Sequence, residues 1–301
     1  MIPQDARVCV YAPPNTAKTT LLAGLAVSIA TGRDWFGHAV KRQGGVIYVA
    51  SEDVNGFKVR LEAAKLQARL SPSAVAGVYT FTEGLSLLDP VSVSLFVEYV
   101  REAVRRDGIP LVCVVIDTLS GSMPGANENA IEAMGLAMSH AKQIMTDLGV
   151  TVILSHHTNA GGSRERGHTV VRGECDTMIA LEPVDDVVKV ENNKQRNGSW
   201  FPAFELRLTA LGKSVVLRPA KDVVAPFGAL SEHQRRALTV LRDTFTAEGP
   251  TKTEWLKAST ATGMSESTFW RASKELLERN YVTPAGLHFR LMPNGRKALG
   301  E

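Results

Sequence analysis

The stretch that decides the fold reads Val8-Cys9-Val10-Tyr11-Ala12-Pro13-Pro14-Asn15-Thr16-Ala17-Lys18-Thr19-Thr20-Leu21-Leu22. Its apolar start predicts a short buried strand, and the small and apolar residues at its end have helical spacing. A loop between a strand and the N-terminus of a helix can hold phosphate groups with its backbone N–H groups. We therefore predict a phosphate-binding loop (P-loop) made of Pro14, Asn15, Thr16, Ala17, Lys18, Thr19 and Thr20.

This loop departs from the usual P-loop pattern, G-x-x-x-x-G-K-[ST], because alanine stands at both glycine positions, Ala12 and Ala17. Glycine permits a positive φ and a close approach of the backbone to phosphate. The Cβ of Ala17 is therefore expected either to point toward the phosphates or to strain the turn. Two interpretations stay open. The loop binds nucleotide weakly or not at all, or it adjusts, stiffened by Pro13 and Pro14, and activity survives.

The composition is that of an ordinary globular protein: 301 residues, of which 44% are hydrophobic and 22% charged. Three scattered cysteines, two of them in apolar runs, predict buried thiols in a reducing compartment and no metal or redox pair. No apolar run is long enough to span a membrane, and the chain enters a strand at once without a signal peptide. We therefore expect a cytoplasmic protein that does not bind membranes.

Strands and helices alternate along the first two thirds of the chain. Apolar runs at residues 45–50, 111–116 and 150–154 each end in polar side chains, and helical patterns separate them. Unbroken apolar strands need cover on both faces, which predicts an α/β fold with a mainly parallel central sheet. In such folds the site lies at the carboxyl ends of the strands. Residues 177–217 read instead as a run of antiparallel strands.

The sequence predicts two domains, at residues 1–224 and 231–301, joined by a linker at residues 225–230. In the second domain, three predicted helices followed by a hairpin have the order of a winged helix-turn-helix. From Pro226 onward there are 11 Lys and Arg against 8 Asp and Glu. The net charge of +3 therefore belongs to this part of the chain, which is a mild indication of an anionic partner.

Three consecutive strand ends supply the residue types of a phosphoryl-transfer site. Lys18 would reach the β- and γ-phosphates of a nucleotide, and the hydroxyl of Thr19 would coordinate Mg²⁺. Asp117 ends the most apolar strand and is placed to hold that Mg²⁺ through its water shell. Glu52, which follows the neighbouring strand, is a candidate general base toward an attacking water. Each acid alone has a simpler interpretation as a solvated strand end, but the set in this order predicts a nucleotide site.

Several segments in the first 220 residues share one known order of motifs: residues 11–20, 30–37, 49–53, 115–119, 155–158, 166–173 and 194–198. On these segments the chain resembles the RecA-like ATPases and, among them, the RepA-type hexameric helicases. The segment at 194–198, Lys-Gln-Arg-Asn-Gly, is also similar to a hairpin of DnaB-type replicative helicases. The resemblance implies ATP and Mg²⁺ as cofactors.

The resemblance also implies roles for individual residues. Asp117 would be the Walker B aspartate and Glu52 the catalytic glutamate. His156 falls where the family has a Gln or His that senses the γ-phosphate, whereas an ordinary buried histidine is the better interpretation of His157. Lys194 and Arg196 match a pair that reaches into the next subunit's site.

The implied role of Arg196 is that of an arginine finger. A finger that acts in trans requires head-to-tail assembly that closes into a ring, so we expect a homo-oligomer, a hexamer by resemblance.

DNA is the expected partner of two further regions. Residues 158–172 lie where RecA-like proteins place a DNA-contacting loop, and three arginines there are suited to follow a single strand in the ring's channel. An ordinary solvated loop is the alternative. In the winged helix, side chains on the third helix and on the wing would face duplex DNA, although such modules also dock proteins. The candidate DNA-binding residues are Arg164, Arg166, Arg172, Thr268, Arg271, Lys274 and Arg290.

These expectations combine into an ATP-driven, ring-forming DNA motor of the RepA-like helicase type, which would serve replication of a plasmid, phage or other mobile element. The leading alternative is a DNA-binding ATPase switch, such as a replication initiator or helicase loader, that does not unwind DNA. A third possibility is a non-hydrolysing relative in which the winged helix is the functional part.

Overall fold

A computed structural model describes residues 1–71, 77–108, 110–158, 170–220, 230–245, 249–278 and 281–299. The chain divides into two compact units, Met1–Val223 and Val224–Glu301. The predicted linker at residues 225–230 lies outside the described residues except for Leu230. Within the described ranges, no helix is both long and apolar enough to cross a membrane.

The first unit is built on one sheet. Its strands are β1 (Arg7–Ala12), β2 (Gly45–Ala50), β3 (Val78–Phe81), β4 (Leu111–Asp117), β5 (Thr151–His157), β6 (Thr177–Val184), β7 (Val187–Gln195), β8 (Phe204–Leu211) and β9 (Ser214–Pro219). Their order is β3-β2-β4-β5-β1-β6-β7-β8-β9. Strands β1 to β6 are parallel, and β7 to β9 extend the sheet as antiparallel strands. This confirms the predicted α/β fold with a mainly parallel central sheet.

Helices cover both faces of the parallel strands, as the unbroken apolar run of β4 requires. The helices of this unit are α1 (Lys18–Thr31), α2 (Val54–Gln67), α3 (Pro90–Asp107), α4 (Ile131–Leu148) and α5 (Val170–Glu174). Helices α1 and α2 pack on one face, which we call the α1 face, and α3 and α4 pack on the other, the α4 face. Because side chains alternate along a strand, neighbouring residues belong to opposite faces.

The order of the strands brings the polar strand ends together. Ala12 of β1 lies level with His157 of β5, and Asp117 of β4 lies level with Ser155 of β5 and Ala50 of β2. The P-loop, the segment after β2 and the ends of β4 and β5 therefore meet at one edge of the sheet.

The second unit consists of α6 (Glu232–Thr244), α7 (Lys252–Ala261), α8 (Glu266–Glu278), the antiparallel strands β10 (Val282–Ala285) and β11 (His288–Leu291), and α9 (Pro293–Leu299). Its core surrounds Trp255 and Phe269, whose rings meet edge-on with centroids 5.2 Å apart. Trp270, the neighbour of Phe269 on α8, is 49% exposed because α8 turns that position toward solvent. Helix α9 follows the hairpin and was not predicted.

An aromatic cluster in the first unit contains one histidine. His38 packs against the rings of Phe201 and Phe204, each with a centroid distance of 5.8 Å. Burial, together with the nearby N-terminal amino group, lowers the pKa of His38 to about 4, against a weaker opposing effect of Asp34. The imidazole of His38 is therefore protonated near pH 6.5 in the unfolded chain, but only near pH 4 in the folded chain.

The His38→Phe variant is expected to lose part of the acid sensitivity of the first unit. Below pH 6.5 the unfolded state binds the His38 proton and the folded state does not, so stability falls until the pH reaches about 4. Between pH 7.5 and pH 5 this amounts to about 2 kcal/mol. Urea denaturation at both pH values measures the free energy of unfolding, and the difference between the two pH values should be smaller in His38→Phe than in the wild type. It should persist in His233→Gln, which changes an exposed histidine of the second unit.

Candidate functional site

The P-loop connects β1 to α1, and two of its residues have a left-handed backbone. Asn15 has φ of 60° and Ala17 has φ of 59°, whereas Ala12 is fully buried at the end of β1 with no positive φ. A left-handed conformation costs a residue with a Cβ about 1–2 kcal/mol, and asparagine tolerates it best. Ala17 packs against the apolar core of the α1 face. Of the two alanines that stand at glycine positions of the P-loop pattern, only Ala17 therefore strains the turn.

We expect Ala17→Gly to raise the free energy of unfolding by about 1 kcal/mol, because glycine adopts this backbone without a Cβ clash. The same substitution at Ala26, which is buried within α1, should have the opposite sign. Chemical denaturation measures both. Titration with labelled ATP should also show tighter binding by Ala17→Gly, since the loop then adjusts to phosphate more readily. A stability unchanged or lowered by Ala17→Gly would contradict the assignment of strain to this position.

Lys18 lies over the P-loop with its side chain buried. Its Nζ donates to the carbonyl oxygens of Ala12 and Pro13, both at 3.1 Å, and lies 3.2 Å from Nδ1 of His157. Burial lowers the pKa of Lys18, while the charges of Asp117 and Glu52 raise it. The ammonium group therefore lies between the loop backbone and the acidic edge of the sheet.

The two histidines at the end of β5 lie on opposite faces of the sheet. His157 is half-buried, shares the α1 face with the P-loop helix and contacts Lys18. His156 is fully buried and, being one residue earlier in β5, belongs to the α4 face with Leu154. His157, and not His156, therefore lies next to Lys18, and the sensor role that the resemblance implies for His156 stays a prediction. Burial and the charge of Lys18 lower the pKa of His157.

Asp117 is held by two hydroxyl groups that bond to the same carboxylate oxygen. Thr19 Oγ1 donates to Oδ2 at 2.8 Å, and the hydroxyl of Tyr48 donates to it at 2.6 Å. The other oxygen, Oδ1, is buried and has no hydrogen-bond partner in the described residues. Burial and the adjacent carboxylate raise the pKa of Tyr48 well above its usual value, so the phenol stays a donor.

This arrangement fits a magnesium ion bound together with a nucleotide. In the described part of the chain, no group of three or more His, Cys, Asp or Glu side chains could hold a metal ion. Mg²⁺ needs no such cage, because it typically takes one or two protein oxygens together with phosphates and waters. The hydroxyl of Thr19 would supply one of those oxygens, and the unpaired Oδ1 of Asp117 would accept from a water in the shell of the ion.

Glu52 lies beside Asp117 and is exposed. A cis peptide bond joins Asp117 to Thr118. The hydroxyl of Thr118 donates to Glu52 Oε1 and accepts from the N–H of Gly121. A Cβ at Gly121 would come within 2.8 Å of Ser51 and 3.1 Å of Glu52, so glycine is needed for this close approach. The two acids are thus linked through one short segment.

Several residues of this edge were not singled out from the sequence: Tyr48, Thr118, Gly121 and Glu128. Glu128 lies close enough to His157 to raise that histidine's pKa against the effect of burial. The one signal available was the hydroxyl of Tyr48 within an otherwise apolar strand. Nothing in the sequence spacing identified the other three.

Lys194 and Arg196 lie at the opposite edge of the sheet from the P-loop. Gln195 pairs with Thr177, which is level with Val8 at the start of β1. Four strand residues, about 13 Å, separate that level from Ala12, where the P-loop begins. The two cations therefore do not contact the P-loop of their own chain.

At that edge the two cations contact the end of α5. Lys194 Nζ donates to the carbonyl oxygens of Arg172 and Gly173, the latter at 3.3 Å. Arg196 donates to Gly173 O at 3.1 Å and to Asp176 Oδ1 at 3.2 Å. Burial and the charge of Arg196 lower the pKa of Lys194. Arg196 remains 51% exposed despite these contacts.

The candidate DNA-binding residues fall into three groups. Arg164 and Arg166 lie outside the described residues. Arg172 was predicted in a loop but lies in α5, where its Nη1 is 3.4 Å from the carbonyl oxygen of Asn193. Exposed positions in the second unit hold Arg271 and Lys274 on α8 and Arg290 on β11, while half-buried Thr268 bonds Ser265 at the start of α8.

Comparison with known proteins places the first unit in a family. A family model described as AAA domain matches residues 1–163, more than half of the chain. No curated protein matches the chain. Among solved structures, the crystal structure of the RadB recombinase aligns with a TM-score of 0.48 and 16% identity, covering 69% of this chain and 89% of that one. With its P-loop and mainly parallel sheet, the chain belongs to the AAA domain family AAA_25 and is a P-loop ATPase.

Proposed function

We propose that the protein is an ATP-driven, ring-forming DNA motor of the RepA-like helicase type, which hydrolyses ATP between subunits. The observation that carries this proposal is the separation of the charged groups. Lys18, Thr19, Asp117 and Glu52 lie at one edge of the sheet, and Arg196 lies at the other. Head-to-tail contact between copies would bring the two edges together, which is the geometry of a closed ring.

Within one subunit, the backbone N–H groups of residues 14–20 and the ammonium of Lys18 would bind the phosphates of ATP. Thr19 and Asp117 would hold Mg²⁺, which draws negative charge from the β- and γ-phosphate oxygens when bound. Glu52 is exposed and would take the proton of the attacking water. Arg196 of the next subunit would stabilise the charge that develops on the transferred phosphoryl group.

His157 would sense the γ-phosphate by donating a hydrogen bond to it from Nε2. The ammonium of Lys18 can only donate, so Nδ1 of His157 must be the acceptor in their 3.2 Å contact. The ring proton then lies on Nε2, and burial keeps the imidazole neutral. A neutral ring with its free proton on Nε2 can donate to a phosphate oxygen.

DNA would be bound by two parts of the chain, the segment at 158–172 and residues 231–301. The second is proposed as a winged-helix domain, joined by residues 225–230 to an ATPase domain at 1–224. Its helix order and the exposed cations Arg271, Lys274 and Arg290 support this interpretation. Salt should weaken the interaction, because contacts with phosphates release counterions.

The test measures ATP hydrolysis by the full chain with and without single-stranded DNA, together with unwinding of a forked duplex. The motor predicts DNA-stimulated hydrolysis that falls as salt rises, unwinding, and ring-sized particles in sedimentation. A protein that hydrolyses ATP only as a monomer, with no response to DNA, would contradict it.

A DNA-binding ATPase switch is the second candidate, and one contact favours it. The hydroxyl of Thr118 engages the carboxylate that the motor needs as a base, Glu52. In a switch, ATP would control DNA binding while turnover stays negligible. ATP-dependent DNA binding without hydrolysis in the same assays would therefore support the switch over the motor.

A further inference from the structure

Tyr48 lies in the middle of β2 and is fully buried. Its ring stacks on Phe57 of α2 with the centroids 3.7 Å apart and the planes 17° apart. Its hydroxyl donates to Asp117 Oδ2 at 2.6 Å. One side chain therefore connects the packing of α2 to a carboxylate at the candidate nucleotide site.

The two oxygens of Asp117 have different environments. Oδ2 accepts from Thr19 and from Tyr48, whereas Oδ1 is buried and accepts from no described residue. A carboxylate with one oxygen fixed by donors presents the other in a defined direction. Thr19 donates its only hydroxyl proton to Oδ2, and the oxygen of the same hydroxyl is also a candidate ligand of Mg²⁺. The phenol of Tyr48 has no such second role.

We infer that Tyr48 is a positioning residue for the metal site: its hydroxyl fixes Asp117 Oδ2 so that Oδ1 is presented to Mg²⁺. This inference rests on the proposed function, since it assigns Asp117 to the Mg²⁺ of a bound nucleotide. Partners that orient a metal-binding carboxylate typically contribute about 10- to 100-fold to metal affinity. The ring of Tyr48 has a separate role, because stacking on Phe57 needs no hydroxyl.

The test compares Tyr48→Phe with the wild-type full chain in binding of a labelled ATP analogue during titration with Mg²⁺. Tyr48→Phe keeps the stacked ring and removes only the hydroxyl. The Mg²⁺ concentration for half-maximal binding should rise about 10- to 100-fold. Binding of the analogue in EDTA should stay as in the wild type.

Two control variants separate positioning from general stability. Tyr11→Phe removes another buried hydroxyl, one that accepts from Asn193 at 2.8 Å, and should leave the Mg²⁺ dependence unchanged. Phe57→Leu removes the stacking partner but keeps the Tyr48 hydroxyl. It should lower the melting temperature and leave the Mg²⁺ dependence unchanged.

An unchanged Mg²⁺ dependence in Tyr48→Phe, beside a wild type that needs Mg²⁺, would overturn this inference alone. An equal increase in Phe57→Leu would also overturn it, since the effect would then follow packing and not the hydroxyl. A wild type that binds the analogue equally well with and without Mg²⁺ would overturn the proposed function, and the inference with it.

Discussion

Replacing Arg196 with alanine is expected to slow ATP hydrolysis by about 10³- to 10⁵-fold while nucleotide affinity stays nearly constant. The reason is that the proposed finger acts on charge that develops only during phosphoryl transfer. Arg196 cannot supply this in its own subunit, because it lies level with the start of β1 and the P-loop follows the end of that strand. Steady-state hydrolysis and titration with labelled ATP measure the two effects separately.

A mixing experiment tests whether Arg196 acts in trans. Arg196→Ala subunits retain Glu52, and Glu52→Gln subunits retain Arg196. In a mixed ring, roughly a quarter of the interfaces would combine an intact Glu52 with an intact Arg196. The mixture should therefore recover part of the activity that both variants lack.

The matched control for Arg196 is Arg207→Ala. Arg207 is equally exposed, at 51%, and pairs with Asp186 at 2.9 Å, as Arg196 pairs with Asp176 at 3.2 Å. Its removal should leave hydrolysis unchanged, because β8 has no assigned role in the site. If the mixture of Arg196→Ala and Glu52→Gln subunits recovers no activity, a site shared between two subunits is contradicted.

Replacing Glu52 with glutamine is expected to lower the turnover rate by about 10²- to 10⁴-fold, since an amide cannot accept the proton of the attacking water. Glutamine has nearly the same size, and its carbonyl oxygen can still accept from the hydroxyl of Thr118. Nucleotide affinity should therefore be kept. Single-turnover hydrolysis with saturating ATP measures the chemical step directly.

The control for Glu52 is its neighbour, Asp53→Asn. Asp53 caps α2 by accepting from the N–H of Gly56, and its side chain is 62% exposed. Asparagine caps helices as well as aspartate does, so the same chemical change should alter neither stability nor rate. A Glu52→Gln variant as active as Asp53→Asn would exclude Glu52 as the general base.

The sequence predicted the fold well because the parallel strands have strong local signals. The apolar run before Asp117 and the strand–loop–helix pattern around Lys18 each indicate their structure without knowledge of the rest of the chain. Since strands of a parallel sheet end at one edge, the meeting of Lys18, Thr19 and Asp117 also followed. The structure places the three together as expected.

What the sequence could not predict depends on which face a side chain occupies. His156 and His157 differ by one residue in β5, and only the packing of α1 decides which of them meets Lys18. Tyr48 looks like any core aromatic until its hydroxyl is found on Asp117. Trp270 has the hydrophobicity of a core residue, yet the orientation of α8 exposes it.

The contacts of Lys194 and Arg196 with α5 have a consequence for how two ligands could influence each other. Moving Lys194 or Arg196 to a phosphate held by another subunit would break their hydrogen bonds to the carbonyl groups of Arg172 and Gly173. The two arrangements would then exclude each other, and a free-energy difference would separate them. By linkage, any ligand that favours the capped end of α5 would then weaken the proposed contact between subunits by the same amount, and the reverse holds equally. Since the first three residues of α5 belong to the segment proposed to bind DNA, this five-residue helix would connect occupancy of one site to that of the other.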